Sequence, residues 1–370
     1  MDALEAALVT TKSPLIPDIR HLFEDCMLDI VKETSLGADE TSQESSSISA
    51  QYRKSLKAAI IGSINRVRRP LHWFDWLFRW TAAGKRLFAY QRFLDEYAGK
   101  VIARRLEYFR SNSFSNFKPT KLIDILLQKY LLFQTKTFNS NSTEPLTLKT
   151  IRHEVSTFIF GGHDTTAEVA IYAILLIGHH PAVQARIAEE LKSVLGGNNE
   201  NEDEEQFFTL ETLKRLRYLE AAIREVMRLH PPGQIVGRRI TEELQLPNGK
   251  KLLAGSNCYI PLLYVHRDDR YYEQPDDFKP ERWWTASKEE IDVEKGVQPH
   301  PPFAFLTFSA GIRSCIGQRY AFLELKYVLA EVLRRFEITS VTKVEDIVIG
   351  IGPVVTPLTE IGVRLSRRRW

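Results

Sequence analysis

Cysteine is scarce in this chain: three residues in 370, at positions 26, 258 and 315. An odd number at wide spacing excludes a disulfide framework and points to a reducing compartment. No stretch approaches the ~20 consecutive apolar residues of a membrane span. The brief apolar run from Leu4 to Val9 lacks the basic flank of a signal peptide. Neither sign of charge prevails, since 50 Lys and Arg face 47 Asp and Glu for a net +3. That balance is not the footprint of a polyanion binder, so nucleic acid is not an expected partner.

Familiar motifs are missing too. No G-x-G-x-x-G or Walker loop occurs, which leaves no usual site for a dinucleotide or flavin. His153-Glu154 opens like a zincin motif, but Thr157 stands where the second histidine is required. His266-Arg267-Asp268 opens like a kinase catalytic loop, yet the accompanying Asn, Gly-rich loop and D-F-G segment are absent.

What is present reads as an ordinary globular chain, 44% apolar and 26% charged. No Pro/Gly-rich linker divides it, so a single domain over residues 1–370 is expected, with a core at about 150–340. Apolar spacings of three and four, as in Leu87, Tyr90, Phe93, Leu94 and Tyr97, predict a helical first third. Surface loops are predicted over 41–49, 111–118, 139–144 and 196–206. An uninterrupted helix is expected from about Thr150 to Gly178, stopped by Pro181, and another from about Leu210 to Leu229, closed by His230-Pro231-Pro232. Residues 235–262 read as a small sheet, 317–336 as a last helix and 337–367 as β-rich. The fold class is therefore mainly α with a small β part.

Cys315 is the informative cysteine. It lies in Phe308-Ser-Ala-Gly-Ile-Arg-Ser-Cys-Ile-Gly317, directly before the last helix. A lone cysteine is most often a small buried hydrophobe. Here Gly311 and Gly317 permit a tight turn and close approach of a flat ligand. The following helix turns its positive dipole end toward the sulfur, which favours a thiolate. Without a second cysteine or a histidine this is a poor zinc site, but a thiolate can be the single axial ligand of haem iron, with Arg313 available to a propionate.

The segment resembles the F-x-x-G-x-R-x-C-x-G haem loop of the cytochrome P450 monooxygenases, with Phe308, Gly311, Arg313, Cys315 and Gly317 at the fixed positions and Ile316 between the last two. Glu225-Val226-Met227-Arg228 resembles the family's E-x-x-R pair, and Pro280-Glu281-Arg282-Trp283 the arginine segment that joins it. By themselves Glu225 and Arg228 would be an i, i+3 helix pair worth a few tenths of a kcal/mol. The resemblance implies a buried structural triad with Arg282 instead. Gly161-Gly162-His163-Asp164-Thr165-Thr166 resembles the oxygen-binding motif. It implies that Gly161 and Gly162 leave room beside the haem, that a Thr165 hydroxyl bonded to a carbonyl bends the helix, and that Asp164 and Thr165 deliver protons. Arg238 falls where the family often places another propionate-binding residue.

The run EVSTFIFGGHDTT from Glu154 to Thr166 is similar to the family 4 branch, as are Arg69-Pro-Leu-His-Trp73, Asp75, Arg217-Tyr-Leu-Glu220 and Ser309-Ala-Gly311. Many branch members carry, where Gly161 stands, a glutamate esterified to the haem; glycine cannot form that bond. The resemblance implies haem b ligated by Cys315, and electrons from NADPH through cytochrome P450 reductase. It also implies O₂ and a fatty acid or related lipid as substrates, and the cytosolic face of the endoplasmic reticulum membrane, with no transmembrane anchor in this chain. Met1 to about Gly37 resembles an interior helix of the family, with the W-x-x-x-R segment that contacts the propionates not found ahead of it. A chain truncated in this way is expected to hold haem more weakly, and an inactive haem-binding fragment is the alternative reading.

Overall fold

A computed structural model describes residues 14–37, 43–111, 119–134, 146–195, 208–284, 301–350, 352 and 354–370. The predicted loops at 139–144 and 196–206, and most of that at 111–118, lie outside the described residues.

A two-residue strand, β1 (Leu15–Ile16), precedes α1 (Arg20–Val31), which ends in a π-helical turn (Lys32–Leu36) capped by Gly37 in the left-handed conformation, φ 64°. Then come α2 (Gln43–Val67), α3 (Ala82–Ser111) and α4 (Leu122–Gln134). The serine-rich stretch expected as a loop over 41–49 is helical from Gln43, a correction to the propensity reading. Serine's preference for caps and turns is a few tenths of a kcal/mol per residue and yields when a helix of 25 residues continues beyond it. The long helix α5 (Leu148–His179) is α-helical over all 32 residues, about 48 Å at 1.5 Å per residue. Pro181 does stop it, and serves at once as the first residue of α6 (Pro181–Leu195), which leaves at 109°.

The single helix expected over 210–229 is two, α7 (Leu210–Arg215) and α8 (Arg217–Leu229), separated at Leu216. The reason is local. The Glu190 carboxylate accepts the backbone N–H of Tyr218 at 2.6 Å and of Leu219 at 2.9 Å, starting a new helix there. Strands β2 (Ile235–Arg239) and β5 (Asn257–Pro261) pair antiparallel, with the short hairpin β3 (Leu244–Gln245) and β4 (Lys251–Leu252) between them. Helix α9 (Gln318–Arg335) runs directly into β6 (Phe336–Ser340). After it come β7 (Ile349–Gly350), β8 (Thr356–Pro357) and β9 (Val363–Arg367); β9 pairs with both β6 and β1.

The chain divides into two compact units, one of residues 24–164 and one of residues 1–23 with 165–370. The core of the first is built by Leu28, Tyr52, Tyr97, Val101, Ile123, Ile151, Val155 and Ile159. A fully buried Asp124 sits at the start of α4, paired with Arg105 at 2.6 Å and accepting the N–H groups of Thr120 and Lys121. Burial raises the Asp124 pKa, but the guanidinium and the amides outweigh it and hold the carboxyl below its usual range.

In the second unit α6, α8 and α9 pack together and meet the β6–β9 sheet. Gln184 closes the edge of β6, accepting the Ile338 N–H at 2.7 Å and donating to its carbonyl at 2.8 Å. Gly178 is there for space: a Cβ would stand 2.3 Å from the Ser340 hydroxyl, which itself donates to the Leu175 carbonyl.

Candidate haem-thiolate site

The segment 308–317 is a tight loop ahead of α9. Cys315 donates its N–H to the Phe308 carbonyl at 2.8 Å, and Ser314 to that of Gly311 at 3.0 Å, closing a 3₁₀ turn over Gly311–Arg313. Two positive φ angles, 61° at Ser309 and 77° at Gly311, make the reversal. An L side chain at 311 would meet open space but a strained backbone. Phe308 anchors the loop to α9 through Phe322, ring centroids 5.5 Å apart. Arg238 on β2 donates to the Ser309 hydroxyl at 2.9 Å, tying the small sheet to the loop.

Cys315 is exposed, three residues before the first residue of an 18-residue helix. Beside it Ile312 and Ile316 are 102% and 88% exposed, and Arg313 is exposed as well. One thiol at a helix start, between bare apolar side chains and with the Arg238 and Arg313 cations on the same loop system, is the donor set for an apolar macrocycle carrying anionic arms. The residues present therefore fit haem.

Behind this loop lies a set of fully buried charges. Glu225 and Arg228 are both 0% exposed and doubly bonded, at 2.8 and 2.9 Å. Arg282 reaches the same carboxylate at 3.0 Å. Five further partners complete the set. Trp283 Nε1 donates to Glu225 at 2.8 Å, the Lys279 N–H donates at 3.0 Å, and Arg228 donates to the carbonyls of His266, Pro275 and Asp277. His266, read above only as a failed kinase motif, accepts the Leu306 N–H on Nε2 at 2.9 Å. Burial pushes its pKa down to about 4, so it stays a neutral acceptor. Tryptophan after Arg282 was a usable signal; the carbonyl partners had none.

Gly161, Gly162, His163 and Asp164 belong to the unit of residues 24–164; Thr165 and Thr166 open the other. The two glycines differ. Gly161 is exposed, and a Cβ there would meet nothing within 4 Å. At Gly162 a Cβ would stand 2.9 Å from Val31 on α1, so this glycine lets two helices approach. His163 is buried and donates from Nδ1 to the Ile159 carbonyl at 2.6 Å; burial lowers its pKa. Burial raises that of Asp164 against the opposing pull of His163 and Lys57, with Glu24 adding to the rise. Lys57 itself pairs with Glu24 at 2.5 Å. Glu24 and Lys57 lie far from the motif in sequence and were not foreseen.

A cytochrome P450 family model matches residues 5–362. The chain is 34% identical over 317 residues to the probable cytochrome P450 4d20 of Drosophila melanogaster, covering 84% of this chain and 59% of that protein. To cytochrome P450 4V2 of Homo sapiens it is 31% identical over 356 residues, covering 93% and 62%. The crystal structure of the cytochrome P450DA heme domain superposes with a TM-score of 0.71 at 18% identity, covering 95% of this chain and 68% of that one. The fold is thus that of the cytochrome P450 heme domains, mainly α with a small β part. The chain belongs to the cytochrome P450 family, and its likeness is to family 4 members, of which it spans about three fifths of the length.

Proposed function

We propose that this chain is a haem-thiolate monooxygenase acting on a fatty acid or related lipid, with electrons from NADPH through cytochrome P450 reductase. The observation that carries the reading is the exposed Cys315 at the start of α9, in a loop closed onto Phe308 and braced by Arg238. Haem, when bound, supplies the iron at which O₂ is activated and one oxygen atom is inserted into a C–H bond.

The protein's part is to hold and protect. Cys315, just ahead of the positive dipole end of α9, would hold the haem iron as a thiolate and supply the electron donation that favours O–O cleavage. Arg238 and Arg313 would bind the propionates, and Phe308, Gly311, Ile316 and Gly317 would line the macrocycle. Glu225, Arg228 and Arg282 fix the backbone behind the loop. Asp164, whose pKa burial raises, and Thr165 would be the groups that deliver protons.

Membrane association is supported by the turn joining α2 and α3. Trp73, Phe74, Trp76 and Trp80 are 58–79% exposed there, and Arg68, Arg69, Arg79, Lys85 and Arg86 are exposed around them. Aromatic and basic side chains together suit an anionic lipid surface. Among the described residues no single helix is long and apolar enough to cross a membrane.

The test is a carbon-monoxide difference spectrum of the reduced, haem-supplied chain, followed by NADPH- and reductase-dependent oxidation of fatty acids. A thiolate-type band with lipid product establishes the function. The band without product makes the chain a haem-binding fragment, and no haem in folded protein overturns the reading.

A further inference from the structure

The turn joining α2 and α3 holds a cavity of about 580 Å³, lined by Asp75, Trp76, Arg79, Trp80 and Lys85 and lying wholly within the unit of residues 24–164. The single helical turn Asp75–Phe78, continued by Arg79, sets Trp76, Arg79 and Trp80 at i, i+3 and i+4, so the three share one face. Phe78, on the opposite side, is 1% exposed and packs in a small core with Ala59 and Leu87. Hydrogen bonds fix the frame around them. Arg66 on α2 donates to the carbonyls of His72 at 2.8 Å and Trp73 at 3.3 Å and pairs with Asp75, while Trp73 Nε1 donates to the Val67 carbonyl at 2.9 Å. At the other end Thr81 donates to the Phe78 carbonyl at 2.8 Å and accepts the Gly84 N–H at 3.0 Å. A Cβ at Gly84 would stand 1.9 Å from that carbonyl oxygen, so glycine is what brings the first turn of α3, with Lys85, up to the cavity.

The charges in this cavity do not balance. Its one carboxylate, Asp75, is taken by Arg66, whereas Arg79 and Lys85 have no ion-pair partner among the described residues. Trp76 and Trp80 beside them are 70% and 79% exposed. Two cations without counter-ions next to two bare indoles complement a ligand that is anionic at one end and apolar at the other. The same turn also exposes Leu71, Trp73 and Phe74, apolar surface that acyl chains would cover and a water-soluble anion would leave bare. We propose that the cavity binds the phosphate of an anionic glycerophospholipid, with Arg79 and Lys85 on the phosphate oxygens and Trp76 and Trp80 against the glycerol and upper acyl chains. Arg79 brings a planar fork of donors and Lys85 a compact charge, a pair suited to a phosphate group. The inference deepens the membrane association proposed above and rests on that reading, adding one discrete lipid site to a basic, aromatic surface.

Calorimetric titration of the full, haem-supplied chain with dihexanoyl phosphatidic acid, kept below its micelle concentration, tests the site without a bilayer. Saturable binding of one lipid per chain is expected. Arg79→Gln with Lys85→Gln should weaken it at least about tenfold, since both charge-assisted contacts are lost. Arg68→Gln with Arg69→Gln removes the same charge outside the cavity and should change it no more than about twofold at a salt concentration of about 0.15 M, where exposed charges are screened. Absence of saturable binding, equal losses in the two pairs, or binding of glycerol 3-phosphate as tight as that of the lipid overturns the site. Sedimentation with vesicles of phosphatidylcholine and phosphatidic acid separates it from the reading it rests on. Vesicle binding without binding of the soluble lipid overturns the site and keeps membrane association; the soluble lipid bound without vesicle binding does the reverse.

Discussion

Two buried polar regions of this molecule differ in how completely they are satisfied. Around Glu225, Arg228 and Arg282 both carboxylate oxygens have donors, and the Arg228 guanidinium is bonded to Glu225 and three carbonyls, with Glu225 and Arg228 both fully buried. Around Glu324, buried on α9 of the same unit, neither carboxyl oxygen has a hydrogen-bond partner among the described residues, and burial raises the pKa to about 8. A fully bonded set of charges holds backbone in place and has no proton to give. An undersatisfied carboxyl keeps its proton near neutral pH. The first region supports a loop; the second has the means to move or store protons.

The comparison breaks most completely at the ligand itself. Cys315→Ala should abolish the thiolate-type carbon-monoxide band while leaving the helical circular dichroism intact, because the exposed sulfur holds no core contact. Next comes the satisfied set: Arg228→Leu takes from the buried Glu225 its doubly bonded cation and from three carbonyls their donor, and should cost about 3–5 kcal/mol in chemical denaturation.

Glu324→Gln should act with the opposite sign. The folded-state pKa of about 8 exceeds the ordinary glutamate value, so the folded chain binds the extra proton, and parent stability falls as pH rises from 4.5 to 8. The variant should match the parent below pH 4.5 and exceed it above pH 8 by up to roughly 4 kcal/mol, read from denaturation midpoints across pH. A smaller effect is expected at Gly162, where alanine would press on Val31; a loss of about 1–3 kcal/mol, relieved by Val31→Ala, would mark it as a packing glycine. Least costly to the fold, Trp76→Ser with Trp80→Ser should leave stability within about 0.5 kcal/mol, since both are exposed. The pair should weaken binding to vesicles of phosphatidylcholine with phosphatidylserine at least tenfold in a sedimentation assay.

Legibility followed sequence distance. The Cys315 loop, the Glu225–Arg228 pair and the long helix α5 were readable because their spacing lies within a few residues. Helix α7 and helix α8 were merged because the Glu190 carboxylate that separates them lies 28 residues from Tyr218. The helical start at Gln43 was hidden by serine composition. His266 lies 38 residues from Arg228 and 40 from Leu306, and Trp283 lies 58 from Glu225, beyond the reach of any short-range pattern.

By itself the sequence determined the helix periods, the glycine at 311 that helps turn the 308–317 loop, and the cysteine placed just ahead of a helix, since each is a matter of local backbone sterics and spacing. Only the tertiary structure decided which polar groups would be satisfied. Glu225 and Glu324 are the same residue type on two helices of one unit, and apart from Arg228, three residues beyond the first, the partners that separate them lie far off in sequence. Arg282, Trp283 and Lys279 converge on the first, while the oxygens of the second have no hydrogen-bond partner among the described residues, and burial then turns that difference in partners into a difference in charge.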